Sequence, residues 1–241
     1  MKLTVLMDNN TYIDRYYKGE PAVSYYLEDG DRNILFDTAY SGAFMDNAKA
    51  MGIDISEITD VVISHGHNDH TGGLPYLLKT DFKTRPVFTA HPDMFLERAD
   101  DGLEIGCPVS KGEIPSVYEK RYAVGRAQRG VEIEDDFVMD DSAVTYETQD
   151  GIYIITGCSH SGICNIIDYA KKITGKNKVL GIIGGLHLFE DDERAKKTID
   201  FICEENIGEL YPCHCTSFKV KALLDRKITV HETGIGLVLE W

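Results

Sequence analysis

The chain has 241 residues, 43% of them apolar, which is enough for a substantial core and sets the scale at one large domain or two modest ones; a single domain is expected. A formal net charge of −15 gives a surface that repels a polyphosphate backbone, so nucleic acid is not an expected partner. No apolar run approaches the roughly 18 residues that span a bilayer, and Met1 to Met7 is too short for a signal-peptide core, so a cytoplasmic protein without a membrane partner is expected.

The first third opens with strand-like segments at Leu3 to Met7, Ala22 to Leu27 and Ile34 to Phe36, the last two joined by the polar turn Glu28-Asp29-Gly30-Asp31. This pattern predicts a β-meander. Ser41 can cap a helix running to Met51, and the β-branched run Asp60 to Ser64 reads as a buried strand ending at His65. A helix from Gly72 to Leu78 and a strand from Pro86 to Thr89 are expected next, followed by an irregular insertion over about 102–130. Val144 to Thr148 and Ile152 to Thr156 form a predicted hairpin around Gln149-Asp150-Gly151. The remainder alternates helix with strand: helices at Ile163 to Thr174, Asp192 to Asn206 and Phe218 to Leu224, strands at Val179 to Ile183, Glu209 to Tyr211, Ile228 to Val230 and Leu237 to Leu239. Two β-then-α halves with a boundary near Asp140 suggest an ancient duplication.

The sharpest chemical signal is Ser64-His65-Gly66-His67-Asn68-Asp69-His70-Thr71-Gly72-Gly73, set between a buried strand and a helix. Imidazole and carboxylate are the donors that zinc and similar divalent metals prefer. His65 and His67 are one residue apart, so in extended chain they project to one side and can share an ion. Asp69 and His70 follow the turn into the helix and face a neighbouring ion. A polar loop with surface histidines is the bland alternative, and it leaves this clustering without a purpose. Three more histidines follow predicted strands, each beside a glycine or cysteine: His160 in Gly157-Cys158-Ser159-His160, His187 in Gly184-Gly185-Leu186-His187, and His214 in Pro212-Cys213-His214-Cys215. Alone, each reads as a hydrogen-bonded structural histidine; together with the first cluster they complete a two-metal ligand count. His91 and His231 have no such setting and read as structural.

The motif His65-x-His67-x-Asp69-His70 resembles the signature of the metallo-β-lactamase superfamily, with His160 and His214 matching its later motif histidines. Within it, Gly-Cys-Ser-His-Ser-Gly and Gly-Gly-Leu-His-Leu look like the branch of dihydropterin-ribofuranosyl-aminobenzene-phosphate synthase-like proteins. The resemblance implies an α/β fold, a four-layer αββα sandwich. It also implies a metallo-hydrolase in which His65, His67 and His160 hold one ion and Asp69, His70 and His214 hold a second. The divalent pair is taken as two zinc ions, with manganese or iron accepted by the same ligands, and a metal-bound hydroxide is the nucleophile. Asp69 and His187 are the candidate catalytic side chains. His187 stands where most members carry a bridging aspartate, so the site loses a negative charge. That loss, with the basic cluster Lys111, Lys120, Arg121, Arg126 and Arg129, points to a small phosphate- or carboxylate-bearing substrate.

Alternatives of other classes stay open: a pterin-related synthase or transferase, a di-iron redox enzyme, or a non-catalytic metal-binding module. A homodimer is the generic default. In a reducing compartment the six cysteines are expected as thiols, and those beside His160 and His214 as small buried hydrophobes pointing away from the ligands. Asp8-Asn9-Asn10 reads as an Asx turn after the first strand.

Overall fold

A computed structural model of the protein describes residues 1–100, 102–110, 117–118 and 138–241. These gather into two compact units, one of Met1–Tyr122 with Gly234–Trp241 and one of Ala123–Thr233. The basic cluster Lys111, Lys120, Arg121, Arg126 and Arg129 lies outside the described residues, as does much of the expected insertion.

The first unit is built on β1 (Lys2–Met7), β2 (Ser24–Asp29), β3 (Arg32–Phe36), α1 (Ala43–Ala50), β4 (Asp60–Val62), α2 (Asn68–Thr71), α3 (Leu74–Leu77), β5 (Val87–Thr89), the small hairpin β6 (Ala99–Asp100) and β7 (Leu103–Glu104), and β8 (Val117–Tyr118). The second unit carries β9 (Ala143–Glu147), β10 (Ile152–Thr156), α4 (Ile163–Thr174), β11 (Val179–Gly184), α5 (Glu193–Glu204), β12 (Glu209–Pro212) and α6 (Phe218–Asp225). The chain ends in β13 (Val238–Glu240), which returns to the first unit.

In the first unit, seven strands run in the order β13-β1-β2-β3-β4-β5-β8. β1, β2 and β3 form the predicted antiparallel meander, with Leu3 opposite Leu27 and Leu27 opposite Ile34. From β3 onward the pairing is parallel, as Ile34 opposite Asp60 and Asp60 opposite Val87 show. The apolar residues of these strands, among them Leu35, Val61 and Phe88, pack with Phe44 and Ala48 of α1 and Leu74 and Leu77 of α3. The N-cap of α1 is Gly42 and not the expected Ser41, whose Oγ, one position earlier, accepts from the Ala43 N–H at 3.1 Å.

Two expectations change here. The helix expected over Gly72 to Leu78 is confined to α3, and a separate helical turn, α2, precedes it from Asn68, so Asp69 and His70 already lie in helical chain. Thr71 Oγ1 donates to the His67 carbonyl at 2.8 Å and fixes that first turn. The strand expected at Leu237 to Leu239 belongs to the first sheet, with Leu239 opposite Leu3, not to the α/β half that precedes it in sequence.

Arg32 joins the starts of β3 and β4 by a fork to Asp60, Nη2 to Oδ1 at 2.5 Å and Nε to Oδ2 at 3.2 Å. Burial opposes ionisation of Asp60, but hydrogen bonds from Arg32 and Thr59 outweigh it and hold the carboxyl below its ordinary 3.8. A carboxyl depressed in the folded state stabilises above its unfolded pKa and loses that contribution as pH falls through the folded one. Arg32→Met is therefore expected to cost about 1 kcal/mol at neutral pH. Urea denaturation at pH 7 and pH 3 checks this: the deficit should shrink in acid, and an equal deficit at both would assign it to packing.

The second unit has the sheet order β12-β11-β10-β9. β9 and β10 are the predicted hairpin; β10, β11 and β12 are parallel, connected through α4 and α5. The helices form where apolar residues recur at helical spacing, Ile163, Ile166, Ile167 and Ala170 in α4 and Ala195, Ile199 and Ile202 in α5. Asp192 caps α5 and Ser217 caps α6 through their side chains. All of these faces cover one core with Ile152, Ile154, Val179, Ile182 and Leu210. The strand expected at Ile228 to Val230 is reduced to a single bridge, Val230 to Leu210.

Candidate metal centre

In the first unit the predicted His/Asp cluster follows β4, and its rings are oriented by a residue that the sequence reading does not single out. Asp37, the residue after β3, is fully buried with a positive φ of 58°. Its Oδ1 accepts from the Ser64 N–H at 2.7 Å, and its Oδ2 accepts from Ser64 Oγ at 2.7 Å and from His70 Nδ1 at 2.6 Å. Because Ser64 gives its only proton to Asp37, it accepts from His65 Nδ1 at 2.9 Å. Protons on Nδ1 of both His65 and His70 leave the Nε2 lone pairs as the donors available to an ion. This is the carboxylate–histidine support that metal sites use to fix ring tautomer and orientation.

The outward faces of the rings meet. His65 Nε2 lies 2.8 Å from His67 Nδ1, and two imidazole nitrogens that close share a cation, a proton or a metal ion. Asp69 Oδ2 is 3.6 Å from His70 Nε2, and the His65 and His70 ring centroids are 4.2 Å apart. His65, His67 and His70 are buried, and Asp69 retains partial exposure. Gly66 lets the His-x-His loop pass under its neighbours: a Cβ there would meet the Met94 carbonyl oxygen at 2.1 Å and Arg98 Nη1 at 2.3 Å. No other residue type fits.

In the second unit the three remaining predicted histidines stand just past the carboxyl ends of three adjacent parallel strands, the place where open α/β sheets bind ligands. His160 follows β10, His187 follows β11 and His214 follows β12. Their loops are stitched together: Gly185 N–H to the Gly157 carbonyl at 2.8 Å, Cys213 N–H to Gly184 at 3.1 Å, and Leu186 N–H to Thr216 Oγ1 at 2.9 Å. A Cβ on Gly185 would meet Cys215 Sγ at 2.3 Å, so this glycine is what permits the loops to approach. Ser159, His187 and His214 all hold positive φ, at 57°, 50° and 47°. Left-handed backbone in non-glycine residues is strain held by its surroundings, and it collects where function requires an aimed side chain.

The His160 and His187 rings lie 4.2 Å apart, tilted by 49°, and Phe189 sets its edge against His187 at 4.9 Å. A donor atom from each of Cys158, His160 and His187 falls within a 4.8 Å group, and Cys158 and His214 also share such a group. Cys158 therefore faces the histidines. The expectation that cysteines beside the ligands point away presumes extended chain, and the left-handed backbone at Ser159 and His214 breaks that alternation. Cys215 also turns inward, donating to the Cys158 carbonyl oxygen at 3.4 Å. Burial raises its pKa, but hydrogen bonds with Cys158 and His187 and the charge of His214 and His187 hold the thiol well below its ordinary value. Asp141, fully buried, accepts from the Ser161 N–H at 2.8 Å and from Ser161 Oγ at 2.6 Å, anchoring the turn after His160.

The histidines read as structural behave so. His91 Nδ1 accepts from the Asp93 N–H at 3.2 Å, and His231 stacks on Tyr211 at 4.7 Å. The Asx turn is present as well, Asn10 N–H to Asp8 Oδ2 at 3.1 Å. Among the described residues no helix is long and apolar enough to cross a membrane.

Residues 17–173 match the model of the metallo-β-lactamase superfamily. The chain belongs to the metallo-β-lactamase superfamily. It is similar to 7,8-dihydropterin-6-methyl-4-(β-D-ribofuranosyl)-aminobenzene-5′-phosphate synthase of Methanocaldococcus jannaschii, with 31% identity over 230 residues covering 79% of this chain and 77% of that one. A second, uncharacterised protein of that organism is 27% identical over 248 residues, covering 93% of this chain and 94% of its own. Among solved structures, a metal-dependent hydrolase of the β-lactamase superfamily superimposes with a TM-score of 0.84 at 25% identity, covering 100% of this chain and 99% of that one. The fold is that of the metallo-β-lactamase superfamily, as the His-x-His-x-Asp-His motif implies.

Proposed function

We propose that this superfamily member is a hydrolase of a small anionic substrate, dependent on a pair of divalent metal ions, zinc in the first instance. His65, His67 and His160 hold one ion, and Asp69, His70 and His214 the other with help from His187. The observation that carries this reading is the Asp37 network: a buried carboxylate that turns the Nε2 lone pairs of His65 and His70 outward is an arrangement for ligation, and it has no comparable use in a merely structural histidine pair. The donor set, imidazoles with one carboxylate, fits zinc, manganese or ferrous iron.

Bound divalent metals supply Lewis acidity, lowering the pKa of water toward neutrality and polarising the attacked carbonyl or phosphoryl oxygen. The protein's part is positioning. Asp69, the partly exposed acid of the cluster, would bind with one oxygen and use the other to hold the proton of the attacking water. His187, an imidazole where a carboxylate is usual, leaves the site less negative and favours phosphate- or carboxylate-bearing molecules.

The test is metal analysis after reconstitution with zinc, manganese or ferrous iron, followed by phosphodiester, lactone and thioester substrates in ¹⁸O-labelled water. About two equivalents of metal, with label in the product, are expected. A protein that takes up no metal, or a loaded protein that turns over none of these, rejects the reading. Inorganic phosphate at millimolar concentration should compete, and no effect would remove the anionic preference. The identity with the pterin-related synthase supports a second reading, transfer onto an acceptor other than water, and unlabelled product separates it from hydrolysis.

A further inference from the structure

Cys158 sits at the centre of the second unit's histidines, and neither the family motif nor the relatives' names give it a role. We infer that the Cys158 thiolate is a metal ligand, supplying the negative charge that is lost where His187 replaces the usual aspartate. This rests on the metal-binding reading above.

Four observations support it. Cys158 is 3% exposed, so its sulfur faces the protein interior and not bulk water. Its donor atom lies within 4.8 Å of those of His160 and His187 in one group and of His214 in another, so it is the member common to both. In the same group, His187 Nδ1 is buried and makes no hydrogen bond among the described residues. The backbone that carries the group is strained at Ser159, His187 and His214, which turns these side chains inward against the conformational preference of the chain.

The charge argument points the same way. A neutral imidazole in place of a carboxylate leaves two dications facing one acid, Asp69, which should weaken the second ion. A thiolate restores one unit of negative charge without a carboxylate, and as a soft donor it biases the site toward zinc, cobalt or iron over magnesium or manganese. As the metal–sulfur bond forms, the thiol proton passes to water. Cys215, which donates to the Cys158 carbonyl oxygen, positions the loop and is not itself the ligand.

X-ray absorption on the zinc-loaded protein tests this, with cobalt substitution as a second readout. One sulfur scatterer at about 2.3 Å from zinc is expected, with nitrogen and oxygen near 2.0–2.1 Å. The cobalt form should show an intense near-ultraviolet thiolate-to-metal band. Cys158→Ser should remove the sulfur shell and the band, and Cys215→Ser should keep both. A loaded wild-type protein with only nitrogen and oxygen around the metal overturns the inference while leaving the metal centre standing, and this holds even if the serine variant fails to fold. Loss of the sulfur shell in Cys215→Ser and not in Cys158→Ser overturns the assignment to Cys158. Wild-type protein that binds neither metal overturns both readings together.

Discussion

Asp69→Asn is expected to lower kcat by about 10²- to 10⁴-fold, the range that a positioned proton-holding group contributes, while stability changes by less than about 0.5 kcal/mol. The asymmetry follows from where Asp69 sits. Its side chain is 27% exposed, in the first turn of α2, with Oδ2 3.6 Å from His70 Nε2. Replacing a partly solvated carboxylate with an isosteric amide opens no cavity. What disappears is the oxygen able to take a proton. Steady-state kinetics alongside metal content decides the matter. A variant with its full metal complement and a rate within tenfold of the parent would show that Asp69 does no chemistry.

Asp37→Ala should behave in the opposite way, as a failure of the fold first and of the site second. Three donors converge on that carboxylate, the Ser64 N–H, Ser64 Oγ and His70 Nδ1, and none can reach water. Removing one side of such a buried arrangement costs about 3–5 kcal/mol, which for a domain of this size corresponds to a fall of roughly 10 °C in Tm. Metal affinity should fall about 10- to 100-fold in whatever remains folded, because His65 and His70 lose the group that fixes their tautomers. Asp37→Asn is informative beside it: the amide keeps one acceptor but turns an NH₂ toward the donors, so it should recover only part of the loss. Denaturation midpoints and metal titrations measure both. Wild-type stability and affinity in Asp37→Ala would mean that the network is incidental.

The two residues differ in how visible they are along the chain. Asp69 belongs to a local pattern: imidazoles one residue apart after a β-branched run, with acid and imidazole in the helical turn that follows, state their chemistry by spacing alone. Asp37 follows a strand in Phe36-Asp37-Thr38, and such a position, where side chains leave a sheet, is the one signal that could have found it. Its partners Ser64 and His70 lie 27 and 33 residues away, and only the parallel pairing of β3 with β4 brings their ends together. Cys158 turns toward the histidines for a reason equally hidden in its spacing. The rule that alternate residues face opposite sides holds in extended chain, and the left-handed Ser159 between Cys158 and His160 breaks it.

By itself the sequence determined the kinds of side chain available, the strands and helices that carry them, and the side of the strand on which His65 and His67 emerge. Those properties are local, set by hydrophobic period, capping residues and the alternation of extended chain. The tertiary structure alone decided which polar atoms orient the histidines, that β13 closes the first sheet beside β1, that Ile228 to Val230 contributes one bridge in place of a strand, and that a cysteine joins the second group. Each of those outcomes depends on contacts between residues distant in sequence, made where strands meet in register, and no periodicity within a single segment encodes them.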